Sequence, residues 1–177
     1  MPEIASRPGA SASITAALFA ILWLPSAVLA QHQSDGGESL KWRVYLNKQS
    51  GTRVDYPAFI FSVPSGATEK GSGERFRSAD QRAQMSIYAL DNDQGDTPAS
   101  YLTKNLKVSR GALDYNRVAG NFFAISGVRE GQVYYSRCNF PSGSEGAIHC
   151  VDLVYPERET KALDAVVTRI SRSLRPL

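Results

Sequence analysis

The chain has 177 residues, 42% of them hydrophobic and 21% charged, with 20 Lys and Arg against 17 Asp and Glu, two His and two Cys. That length suits one domain, or one domain plus a processed segment. The apolar share excludes a disordered chain, two cysteines exclude a disulfide-dense mini-protein, and a net charge of +3 is too small for a nucleic-acid binder.

From Pro8 to Ala30 no residue carries a formal charge, and the apolar heart at 14–24, ITAALFAILWL, is 11 residues long. A membrane anchor needs about 20. Pro25, Ser26 and then AVLA follow, with small Val28 and Ala30 at the spacing read by signal peptidase. Residues 1–30 are therefore expected to be a cleaved signal peptide. The product would be exported, periplasmic or secreted, with no stable membrane insertion after cleavage. Residues 31–40, beginning QHQSDGGE, are polar and read as a flexible leader. Residues 41–177 remain as a single domain.

Within that domain, 42–46 and 52–56 read as a first hairpin around 47–51, halted by Pro57. A loop with Pro64, Gly66, Gly71 and Gly73 leads to a short strand at 75–78. Ala83, Met85, Ile87 and Ala89 then alternate with polar or aromatic neighbours, a strand of period two. Thr97 before Pro98 predicts an N-cap and a helix to about Ser109, with Leu102 and Leu106 four apart and Gly111 placed to end it. Strands are expected at 113–118 and 122–128.

Cys138 and Cys150 lie in QVYYSRCNF and AIHCVDLVY, two β-rich runs around a connection at 141–146 that contains Pro, Gly and Ser. Both are equidistant from residue 144, so they should face each other across a hairpin and form a disulfide in an exported protein. The same register sets Tyr134 opposite Val154, Phe140 opposite Ile148, Tyr135 opposite Leu153 and Arg137 opposite Val151. Neither face is purely polar, which predicts cover on both. Finally Leu163, Val166, Val167, Ile170 and Leu174 make an apolar stripe on a terminal helix, capped by Thr160 or Glu159 and ended by Pro176. The fold class is α+β, a mainly antiparallel sheet packed against two helices.

Four stretches carry a resemblance: 45–57 (YLNKQSGTRVDYP), 73–78 (GERFRS), 123–127 (FAISG), and 153–156 (LVYP) with the amphipathic helix that ends at Ser173 and Leu174. Together they resemble small exported bacterial proteins of Mog1/PsbP-like fold over residues 41–175, except that a tighter Asp-Gly turn is expected where 79–82 reads ADQR. The resemblance implies an α/β/α sandwich and a binding or accessory module. It carries over no catalytic residue.

Asp91, Asp93 and Asp96 begin a calcium loop, but an EF-hand counted from Asp91 has Asp96 where glycine belongs and Leu102 where glutamate belongs. The alternative is a solvated turn whose negative charge favours the following helix N-terminus. Gly71 and Gly73 precede a strand and lack the strand–loop–helix context of a phosphate loop. His149 faces away from Cys150 and from Asp152 on a strand, and there is no Gly-x-Ser-x-Gly elbow for a Ser/His hydrolase. Arg75, Arg77 and Arg82 are close in sequence and are anion candidates; Arg169, Arg172 and Arg175 recur along the last helix. Tyr88, Tyr101, Tyr115, Tyr134, Tyr135 and Tyr155 suit either an aromatic surface or cross-strand packing. With no convergent catalytic set and no cofactor motif, the sequence points to a non-enzymatic exported module that binds a protein or envelope component. A small-ligand carrier, or a hydrolase using the carboxylates of the 91–96 loop, is the alternative.

Overall fold

The computed structural model describes residues 41–106, 112–142 and 146–177. The expected signal peptide and leader, the residues 107–111 where the sequence placed the helix stop, and the tip of the cysteine hairpin at 143–145 lie outside the described residues. Ten strands and two helices follow in the order β1 (Trp42–Asn47), β2 (Thr52–Pro57), β3 (Val63–Ala67), β4 (Ser72–Arg77), β5 (Gln84–Asp91), α1 (Pro98–Asn105), β6 (Tyr115–Val118), β7 (Phe122–Arg129), β8 (Gln132–Asn139), β9 (Ala147–Pro156), α2 (Thr160–Ser173) and β10 (Arg175–Pro176). Seven strands form one antiparallel sheet in the order β3-β4-β5-β9-β8-β7-β6, and β1-β2-β10 form a second.

The period-two patterns fix what each face meets. Met85 and Ile87 of β5, with Val151 and Leu153 of β9, point toward α2 and the small sheet. There they pack on the α2 stripe and on Val54 of β2. Tyr88, Cys150 and Ile148 point the other way, to Leu102 of α1. The large sheet is thus enclosed by α1 on one face and by α2 with the small sheet on the other, the sandwich that the resemblance implies.

The second sheet is tied down by polar contacts that a helix stripe alone would not supply. Thr52, fully buried, hydrogen-bonds His149 Nδ1 at 2.8 Å, and Asn139 Nδ2 donates to the Leu174 carbonyl at 2.8 Å. Ser173 Oγ accepts from the Asp55 amide at 2.8 Å. Such bonds matter because a buried polar group without a partner costs about 1–3 kcal/mol.

Five local expectations change. Residues 63–67 are a strand rather than loop, paired with β4 through an irregular register that accommodates Pro64 and Gly66 on the edge. A short β10 pairs with β2 where only a helix stop was expected. The first helix ends at Asn105, four residues early, with Leu106 as an extended C-cap, and β6 starts at Tyr115 rather than at 113. No side chain caps α2: Glu159 is the N-cap residue without a capping bond, and Thr160 Oγ1 donates instead to the Glu157 carbonyl, closing the 3-10 turn before the helix. The turn at 79–82 places Gln81 at φ 61°, where glycine is the easy residue. Asp80 compensates by accepting from Ser78 Oγ, the Arg82 amide and Arg82 Nε.

Candidate functional site: a cavity on the α1 face

β8 and β9 pair so that Cys138 meets Cys150, and the two form a disulfide. One rung further along the same face Ser136 meets Asp152, and Asp152 meets Ser86 of β5. The next rung sets Val154 between Tyr134 and Gln84. α1 has eight residues and covers the end of the face that carries Cys150 and Ile148. Past Cys150 the face opens into a cavity of about 1150 Å³, walled by Tyr88, Tyr101, Phe123, Ile125, Ser136 and Asp152. A smaller recess of about 190 Å³ continues over Arg75, Ser86 and Val154.

The helix that bounds the cavity is held by its own sequence. Thr97 Oγ1 accepts from the Ser100 amide while Ser100 Oγ accepts from the Thr97 amide, a complete capping box. Tyr101 stacks on Phe123 with ring centroids 6.0 Å apart and meets Phe140 edge-on at 5.7 Å. The cavity wall is thereby continuous with the apolar cluster of Leu102, Ile148 and Cys150 beneath α1.

Asp152 is the one carboxylate on this apolar stretch of β9. Its two oxygens accept from Ser136 Oγ at 2.6 Å and Tyr88 Oη at 2.9 Å. Burial raises the Asp152 pKa, with the Ser136 bond, the Lys70 charge and the Tyr88 bond acting the other way. Burial, and then the neighbouring Asp152, raise the Tyr88 pKa far above the ordinary phenol value. A phenol and a hydroxyl thus donate to one carboxyl and fix its orientation in the cavity wall. His149 lies on the other face of the sheet, bonded to Thr52.

The residues singled out from the sequence are dispersed. Asp91, Asp93 and Asp96 line the rim of the cavity, but Asp96 is taken up by Lys104 Nζ at 2.6 Å and Ser100 Oγ at 2.8 Å. Among the described residues no three His, Cys, Asp or Glu side chains are grouped to hold an ion. Arg75 and Arg77 share the cavity-side face of β4, with Arg75 paired to Glu69 at 3.2 Å. Arg82 pairs instead with Asp80 and Glu159 at the far side, so the three do not converge. On the last helix, Arg169 stacks on Trp42 at 3.9 Å, while Arg175 belongs to β10. Of the tyrosines, Tyr155 is core; Tyr88, Tyr101 and Tyr134 surround the cavity; Tyr115 is exposed. Asp152, Ser136 and Val154 were missed as site residues, although the cysteine register already set Ser136 opposite Asp152 on the face of Cys150.

This arrangement, an antiparallel sheet between helices, is a PsbP-like fold. The structure matches the solution structure of cyanobacterial PsbP (CyanoP) from Synechocystis sp. PCC 6803 with a TM-score of 0.55 at 13% identity, over 80% of this chain and 96% of that one. A crystal structure from Bacteroides thetaiotaomicron VPI-5482 matches at 0.48 and 13% identity, over 76% of this chain and 48% of that one. No protein-family model matches the sequence, and no curated protein matches it.

Proposed function

We propose that the chain is a non-enzymatic exported binding module, accessory to a protein partner of the cell envelope, and that the open half of the α1 face is where it binds. One observation carries this reading. Val154, in the middle strand of a seven-stranded sheet, is left 38% exposed beside the cavity. An antiparallel sheet can leave one face in water, where polar residues are expected; a valine there, at the centre of the sheet and beside a cavity, fits an apolar side chain of a partner, with Asp152 beneath to accept from a donor that the partner brings. The disulfide fits an oxidising compartment, and among the described residues no helix is long and apolar enough to cross a membrane.

Affinity capture from an envelope extract, comparing wild type with Val154→Arg, tests the reading. Val154 is exposed, so the substitution should leave the melting temperature within about 2 °C and abolish enrichment of the partner. Equal enrichment by both proteins would refute it. The cavity between sheet and α1 also suits a small-ligand carrier, its volume being just above the usual ~300–1000 Å³ of ligand sites. That reading expects native mass spectrometry to find a bound small molecule and the capture to find no protein.

A further inference from the structure

The α2 side of the large sheet carries a group of charges that the cavity does not use. Arg117 of β6 and Arg137 of β8 both pair with Ala124 of β7, so the two project from one rung on one face with a small residue between them. Both guanidinium groups lie against the Phe122 ring, at 5.4 Å and 4.3 Å from its centroid. Arg172, in the last turn of α2, brings a third charge near Arg137. Its place at a helix C-terminus accounts for Arg172 alone.

Arg137 is half-buried and held in place. Its Nε donates to Asn139 Oδ1 at 3.0 Å and its Nη1 to Ser171 Oγ at 3.5 Å. Neither partner supplies negative charge. Arg53, Arg75 and Arg82 each have a carboxylate within ion-pair distance. Among the described residues Arg117, Arg137 and Arg172 have none. Burial, and beyond it the charges of Arg117 and Arg172, push the Arg137 pKa below its ordinary value against an upward pull from Tyr135 and Tyr115. A half-buried guanidinium is normally compensated by an anion. A fixed fork beside two further cations matches the spread charge and several acceptor oxygens of a phosphate better than the single charge of one carboxylate.

We propose that Arg117, Arg137 and Arg172 form a site for a phosphate group, seated against Phe122 on the opposite side of the sheet from the cavity. The group could be free phosphate or the headgroup of an anionic lipid, and two measurements on the full chain separate these sources. One is calorimetric titration with inorganic phosphate at constant ionic strength. The other is co-sedimentation with phosphatidylglycerol–phosphatidylcholine vesicles. Saturable binding is expected in at least one arm, weakened tenfold or more by Arg137→Gln and by Arg117→Gln and unaltered by Arg158→Gln in the 3-10 turn. Arg117 is exposed, so its variant reads the site even where Arg137→Gln unsettles the fold. Binding to phosphate alone assigns a free anion, and binding to vesicles alone assigns a headgroup. No binding in either arm, or wild-type binding by both site variants, overturns the proposal.

Discussion

At the scale of single residues, the burial of His149 against Thr52 makes the protein sensitive to acid. Burial lowers the His149 pKa from 6.5. Between that lowered value and 6.5 the unfolded chain binds a proton that the folded chain refuses, so stability is full above 6.5 and falls as the pH drops through this window. Burial raises the Asp152 pKa, which has the opposite sign: the folded chain holds that proton more tightly, and stability falls as pH rises through its window. Urea midpoints measured from pH 7.5 to 5 on wild type and His149→Gln isolate the histidine, and the variant should lose the downturn below 6.5. Thr52→Val, which leaves His149 Nδ1 without its partner, should cost about 1–3 kcal/mol at pH 7.5. This pair was not legible in the sequence. His149 could be assigned to the face opposite Asp152 by strand period alone, but the bond joins residues 97 apart across two sheets. No local pattern encodes that pairing.

At the scale of elements, the cysteine hairpin was the most readable part of the chain. Symmetric spacing about a Pro/Gly/Ser turn fixes a register, and a register in an antiparallel pair fixes every facing residue. Tyr134 with Val154, Tyr135 with Leu153 and Arg137 with Val151 stand opposite one another as that register requires. The protein should show no titratable thiol before reduction, and the double variant Cys138→Ala/Cys150→Ala should lose about 3 kcal/mol in chemical denaturation. Two reactive thiols in the unreduced protein would contradict the bridge. Elements whose residues favour turns were harder to read. β3, with Pro64 and Gly66, is a strand because β4 offers it an edge, and β10 is one because β2 does. Tertiary pairing overrode local propensity in both. The site was half legible: Tyr88 stood among the aromatic candidates, whereas Asp152 required following the cysteine register one rung further along both strands.

At the scale of the whole molecule, α2 joins the two sheets through one buried stripe. Ile170 is fully buried and Leu174 nearly so, against Val54 of the small sheet and Val151 of the large one. The small sheet should therefore unfold with the large one. In a Trp23→Phe background Trp42 is the single tryptophan and reports on β1, so its fluorescence and the far-ultraviolet circular dichroism should give coincident transitions. Ile170→Ala should shift both together by about 2–5 kcal/mol. An early fluorescence change in either protein would mean that the small sheet melts alone.

The closing of β10 onto β2 also has a consequence for time rather than for stability. Arg175 pairs with Arg53, and the Leu177 amide donates to the Gly51 carbonyl at 2.8 Å, so the edge of β2 is closed by residues far along the chain from it. The β1–β2 hairpin can form as soon as it emerges, but the surface that buries Val54 arrives only with the terminal helix. Contacts of such sequence separation are slow to close. This ordering leaves the first hairpin without its covering layer until α2 and β10 are in place, so refolding should be limited by that late docking rather than by the hairpin itself.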